Sequence, residues 1–298
     1  MPTTNFPNGI TSMGVPLPSS FGQDPSGGST YFVDNNVGGD GNTGDSWGTA
    51  YKTLAKAIGV SNANIAKTGT GNAARRNTIY YIADVETADL DAFPNKCDVI
   101  GVGSYDANSK PGILGNHVPV NTGNYGSRFY NIWFKAPADA SAMVTLASTS
   151  SGIQFIGCTF SATATTTRGI LATASPFLKV LGCRFEGAFV NDYITFGTGQ
   201  AGGTEIIGNI MQDSADNGIM IGSGTTATWR GLIKDNLIQC ADIFLDTQSS
   251  SLFNVVGNTM ISGEALGSSS YVIDLAYAAG NIVTGNSVGA TLPVQPAT

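Results

Sequence analysis

The chain has 298 residues, 39 of them glycine and only 12% charged, with 14 Lys and Arg set against 21 Asp and Glu. A net charge of −7, with Arg75-Arg76 the one adjacent basic pair, excludes a phosphate-binding face, because nucleic-acid contacts need grouped Lys and Arg. Four cysteines are too few for a disulfide framework, no apolar run reaches 18 residues, and the first twenty residues lack the basic and apolar regions of a secretory leader, so the expectation is no nucleic acid, no membrane and no export.

Residues 1–29 are a different material from the rest. Four prolines in the first eighteen positions exclude a helix or a central strand. Between them stand isolated hydrophobes, Phe6, Ile10, Met13, Val15 and Leu17, where a disordered tail would be poor in apolar residues. The expectation is an extended anchoring arm laid on a partner. Residues 30–77 then read as a lead-in loop, a strand and a capping helix. In the loop, Asp34, Asn36, Asp40, Asn42 and Asp45 place five oxygen-bearing side chains among glycines. They lack the terminal bidentate Glu of a calcium loop and suit tight turns, so no metal is assigned. A helix is expected over 46–66, capped by Ser46 and Thr49, with Tyr51, Leu54, Ala55, Ile58 and Ile65 on its apolar side. It would plug the N-terminal end of the stack of strands.

From 78 to 289 the chain reads as short strands. Strands are expected at 78–84, 98–103, 132–134 and 143–146, with 104–130 looping out. Beyond them one phrase recurs: Phe155-Ile-Gly-Cys158, Val180-Leu-Gly-Cys183, Ile206-Ile-Gly-Asn209, Ile233-Lys-Asp-Asn236, Val255-Val-Gly-Asn258 and Val283-Thr-Gly-Asn286. The last residues are 25, 26, 27, 22 and 28 positions apart, which marks a solenoid. Alternating runs of a few residues exclude helical repeats, and the missing leucine framework excludes leucine-rich repeats, leaving a parallel β-helix. A second phrase runs in phase, from Gly169-Ile-Leu-Ala to Val272-Ile-Asp-Leu. It predicts an inward ladder of Ile170, Ile194, Ile219, Ile243 and Ile273, with Phe196, Ile221, Leu245 and Leu275 in the next row. Asn209, Asn236, Asn258 and Asn286 are expected to stack at a bend in left-handed backbone, with Cys158 and Cys183 as free thiols in the same place. Cys97 and Cys240 read as core fillers. Residues 290–298 close the chain as a proline-broken tail.

These phrases resemble the repeat of pectate-lyase-like proteins, and the run from Tyr31 to Ile58 resembles the N-terminal segment of many such domains, common in tailed-phage virion proteins. The resemblance spans roughly residues 31 to 289. It implies an all-β fold, a right-handed parallel β-helix, in a protein made in the host cytoplasm and carried in the virion. The fold hosts lyases, hydrolases and inert scaffolds, so activity must be argued from a site.

Strict alternation turns Ile156, Leu181, Ile207 and Val256 outward on the first phrase, together with Lys234. On the second it turns out Leu171, Met220 and Phe244, with Thr195 and Asp274. Exposed aliphatic rows of this length predict a buried interface, and the reading is a homotrimer. The acids Glu186 with Asp192, Asp213 with Asp216, and Asp242 with Asp246 read as solvated turns rather than a glycosidase pair. His117, the single histidine, reads as a surface residue. No catalytic residue and no cofactor are assigned. The function expected is a non-enzymatic capsid decoration or cement protein whose arm contacts the major capsid protein or other virion subunits. The competing reading is a tailspike that binds or hydrolyses host polysaccharide.

Overall fold

In a computed structural model the chain is a parallel β-solenoid with one helix near its start. The structure describes residues 11–12, 15–16, 28–67, 75–103, 110–120, 124–138, 140–147, 150–163, 165–197, 201–212, 217–221, 229–240, 245–247, 252–262, 273–274 and 282–288. Three parallel sheets form its faces. Sheet I has ten strands, from Thr30–Asp34 to Ile282–Thr284; sheet II has nine, from Val85–Thr87 to Ser287–Val288; sheet III has six, from Val144–Leu146 to Ile273–Asp274. Within each sheet every strand pairs with its counterpart one coil away, so like residues stack directly.

The recurring phrase has one geometric meaning. Its first residue points inward, and Phe129, Phe155, Val180, Ile206, Ile233 and Val255 are all buried in register. Its third residue turns the chain at positive φ: Asn131, Gly157, Gly182, Gly208, Asp235, Gly257 and Gly285 all lie between 54° and 67°. Glycine adopts this conformation freely, and Asn and Asp tolerate it best among the rest. The left-handed position is therefore the residue before the stacked asparagine, not the asparagine itself. The fourth residue faces in and builds the ladder. Asn209 Nδ2 donates to Asn236 Oδ1 at 2.9 Å, Asn236 Nδ2 to Asn258 Oδ1 at 2.8 Å, and Asn258 Nδ2 to Asn286 Oδ1 at 2.9 Å. The same oxygens accept the backbone N–H of the preceding rung. Cys158 and Cys183 continue the ladder as free thiols, donating to Phe129 O and Phe155 O at 3.3 and 3.4 Å. Cys97 and Cys240 are buried in the core, where loss of water pushes the Cys97 thiol up to about 12.

Sheet II supplies a second inward row, Phe134, Phe160 and Phe185, stacked face to face at 5.2 and 4.7 Å. In sheet III the buried row is Val144, Ile170, Ile194 and Ile219, and the register continues through Leu245 and Ile273. Leu245 takes the place expected for Ile243, and Thr247 lies next to Ile221 where Leu245 was expected. The strand is shifted two residues, which keeps the same faces but changes the partners. Ile243, Phe244 and Leu275 lie outside the described residues.

Residues 110–120 and 124–130 do not loop out. Gly112–Leu114 joins sheet II, His117 bridges Val144 at the start of sheet III, and Arg128–Tyr130 joins sheet I. Glycine and asparagine mark the corners of this coil, as in the later ones. His117 is consequently buried, against the surface position expected: its Nδ1 accepts the Leu90 N–H at 3.2 Å, and its ring meets Phe134 edge-on.

The helix is Leu54–Lys67, preceded by a single 3-10 turn, Trp47–Thr49, rather than one helix over 46–66. Tyr51 breaks the run because it bridges Val33 as an extended residue. Thr53 is the effective cap, its Oγ1 accepting the Lys56 N–H. Leu54, Ala57, Ile58 and Ser61 face the core, whereas Ala55 is exposed. The loop acids secure this start: Asp40 accepts the Lys52 and Thr53 amides, Asp34 those of Asn36 and Val37, and Asp45 the Thr43 and Thr49 hydroxyls. Near the N-terminus, Thr11–Ser12 pairs antiparallel with Val15–Pro16 as a separate two-stranded sheet, so the arm doubles back at this point instead of running extended.

Candidate interaction surface

The outer face of sheet I carries a continuous row of side chains, one from each strand. In register order it reads Phe32, Tyr80, Ile100, Tyr130, Ile156, Leu181, Ile207, Lys234, Val256, Thr284. The first seven are aromatic or aliphatic and span roughly 29 Å at a strand spacing of about 4.8 Å. Alternation forces this arrangement, since the residue before each of the first nine is buried in the core. Each apolar member is half-buried, because its neighbours above and below cover its flanks, while Lys234 and Thr284 are exposed. The aromatic end is consolidated by Phe32 stacking on Tyr80 at 5.6 Å and by Trp47, 40% exposed, edge-on to Phe32 at 4.9 Å.

A polar row runs beside it: Thr30, Thr78, Asp98, Arg128, Gln154, Lys179, Glu205, Leu232, Asn254. Most of its charges are closed within the chain. Arg76 Nη2 meets Asp98 Oδ1 at 2.6 Å, Arg128 Nε approaches the same oxygen at 3.7 Å, and Lys179 Nζ meets Glu205 Oε1 at 2.7 Å. A face with its charges paired loses less when water leaves it.

Ile156, Leu181, Ile207 and Val256 therefore share one row as expected. Leu171 and Met220 do not join them: they stand half-buried on sheet III, in a row with Thr195, which is buried, and Asp246, which occupies the position expected for Phe244. Phe6, Ile10, Met13 and Leu17 lie outside the described residues. Val15 belongs to a described strand, but its side chain is outside them too. Phe32, Tyr80, Ile100 and Tyr130 were missed by the repeat, although Val99-Ile-Gly and Phe129-Tyr-Asn carry its first three letters.

Several of the described acids are engaged structurally. Asp192 is fully buried and receives Arg168 Nε, Thr195 Oγ1 and Asn217 Nδ2 at 3.2, 2.6 and 3.0 Å. Glu186 pairs with Arg184 at 2.8 Å. Glu86 faces the core, both its oxygens near the Leu54 N–H at 3.2 and 3.1 Å, and burial raises its carboxyl above the ordinary range. Asp213, Asp216 and Asp242 lie outside the described residues, as does the side chain of Asp246. Lys110 is buried with Nζ donating to Gly157 O and Thr159 Oγ1, and burial lowers its affinity for a proton. Among the described residues no group of three or more His, Cys, Asp and Glu side chains is placed to hold a metal ion. No family model matches the chain, and neither a curated protein nor a solved structure matches it.

Proposed function

We propose that this protein is a non-enzymatic virion structural protein, a capsid decoration or cement protein whose solenoids associate as a homotrimer and whose N-terminal arm contacts neighbouring subunits such as the major capsid protein. The observation that carries the self-association is the row from Phe32 to Ile207: seven consecutive uncharged, apolar positions on one outer face, beside a row whose charges are largely paired. Contiguous apolar surface of this extent favours burial against a partner, and an uncharged, periodic, flat sheet face is complementary to another copy of itself. The virion setting is supported by the resemblance of residues 31–58 to the start of phage β-helix domains. Because Leu181 and Ile207 face outward while Val180 and Ile206 hold the core, Leu181→Asp with Ile207→Asp is expected to spare the core, which an unchanged circular dichroism spectrum would check. Sedimentation of this double variant is expected to give monomers, and an unchanged trimer would remove the proposal.

A further inference from the structure

We infer that the aromatic end of the sheet I row is the seat of the proline-rich arm of a second copy, so that the arm is exchanged between neighbours in the assembly. This rests on the self-association of the solenoids and divides the row into two parts. The aliphatic part, Ile156 to Ile207, meets another solenoid; the aromatic part, formed by Trp47, Phe32, Tyr80 and Tyr130, takes the arm.

Three observations point to that occupant. The first is chemistry. Proline rings and isolated hydrophobes are what exposed aromatic faces recognise, because a proline ring packs flat on them and has little conformational freedom to lose. Residues 1–27 carry five prolines, the anchors Phe6, Ile10, Met13, Val15 and Leu17, and one charged side chain, Asp24. The row is likewise uncharged until Lys234. The second is position. The arm joins the solenoid directly before Thr30–Asp34, the strand that contributes Phe32 and begins the row, so arms of copies packed side by side all emerge at the aromatic level. Twenty-seven residues reach at most about 90 Å when extended, ample for a neighbouring copy. The third is that the hairpin within the arm, Thr11–Ser12 with Val15–Pro16, is a sheet of its own and adds no strand to sheet I. Attachment through side chains, rather than as an added strand, is accordingly the contact proposed.

The test uses engineered thiols in the full chain, whose four native cysteines are buried. A chain carrying Ile10→Cys is mixed with one carrying Tyr80→Cys, unfolded together, refolded and oxidised with oxidised glutathione. The expected product is an interchain disulfide joining positions 10 and 80, lost when the second chain instead carries Thr284→Cys at the far end of the row. A trimer without the 10 to 80 link overturns the arm assignment alone, as does equal linking to position 284. Closure only within a single chain, when one chain carries both thiols, overturns the exchange. A wild-type chain that sediments as a monomer removes the parent reading, and the exchange falls with it.

Discussion

Asn236 illustrates why the ladder position is demanding. Its Oδ1 accepts from Asn209 N and Nδ2, and its own Nδ2 donates to Ile206 O and Asn258 Oδ1, all in the dry interior. Asn236→Ala strands buried polar groups on both neighbouring rungs, each costing about 1–3 kcal/mol. We expect urea melts to show a loss of roughly 2–4 kcal/mol, and a loss below about 0.5 would mean that water replaces the amide. His117 predicts a pH effect of definite sign. Burial holds its imidazole down to about 4 in the fold, against 6.5 as the ordinary value. Its contribution is present above pH 6.5, where both states are neutral, and is lost as pH falls from 6.5 towards 4, because the unfolded chain takes up the proton first. The interval corresponds to about 3 kcal/mol. Glu86 acts in the opposite direction, its raised carboxyl losing stability as pH climbs above its ordinary value. Comparing melts of the wild type and His117→Phe between pH 4 and 7 isolates the histidine. The variant should lose the acid-side decline, and an identical slope would show that His117 is solvated.

At the scale of elements, the helix Leu54–Lys67 stands where the first coil would otherwise leave the interior open. Leu54, Ala57 and Ile58 close over Val33, Ile79 and Tyr81 in one core, and Glu86 holds the first helical amide from the neighbouring coil. Asn77 Nδ2 ties its middle by donating to Ser61 Oγ at 2.9 Å, and Asn62 Nδ2 donates to Phe93 O. In a solenoid each rung depends chiefly on its neighbours, so damage here stays local. Leu54→Ala should cost about 2–5 kcal/mol in the first coils. Hydrogen exchange at Ile79 and Val99 should accelerate while Phe253 and Val255 keep their protection. Uniform acceleration along the chain would mean that the coils melt as one unit and that the helix guards them all.

For the whole molecule, the described coils share one buried core from Tyr31 to Met260, to which Ser29 is tied by its N–H donating to Asn77 Oδ1 and its carbonyl accepting the Thr78 N–H. Deleting residues 1–27, which spares the bonds of Ser29 to Asn77 and Thr78, should leave melting of the solenoid unchanged but abolish incorporation into particles; full occupancy by the truncated protein would place the anchor elsewhere. The competing tailspike reading is decided by a reducing-end assay on host polysaccharide. No sustained release is expected, since Asp192 is closed by three partners and Glu186 is paired with Arg184. Release that is lost in Asp213→Asn with Asp216→Asn would instead make the solenoid an enzyme.

The strand period, the inward residue and the asparagine ladder were legible in the chain, because each repeats at a fixed offset and alternation has only two faces, whereas the left-handed turn expected at the asparagine lies one residue before it. So were the outward positions of Ile156, Leu181, Ile207 and Val256. What needed the fold was anything set by partners distant in sequence. The coil of 110–120 and 124–130 does carry Ile113-Leu-Gly-Asn116, but out of phase with the repeat and on sheet II rather than sheet I, so only its pairing with the coils on either side reveals it as a rung. The same pairing buries His117 and slides Leu245 into the place of Ile243. It also joins Phe32, Tyr80, Ile100 and Tyr130 to the repeat's row, turning four scattered residues into one apolar surface with Ile156, Leu181 and Ile207. A sequence states which face a residue takes; only the register between coils states what stands beside it.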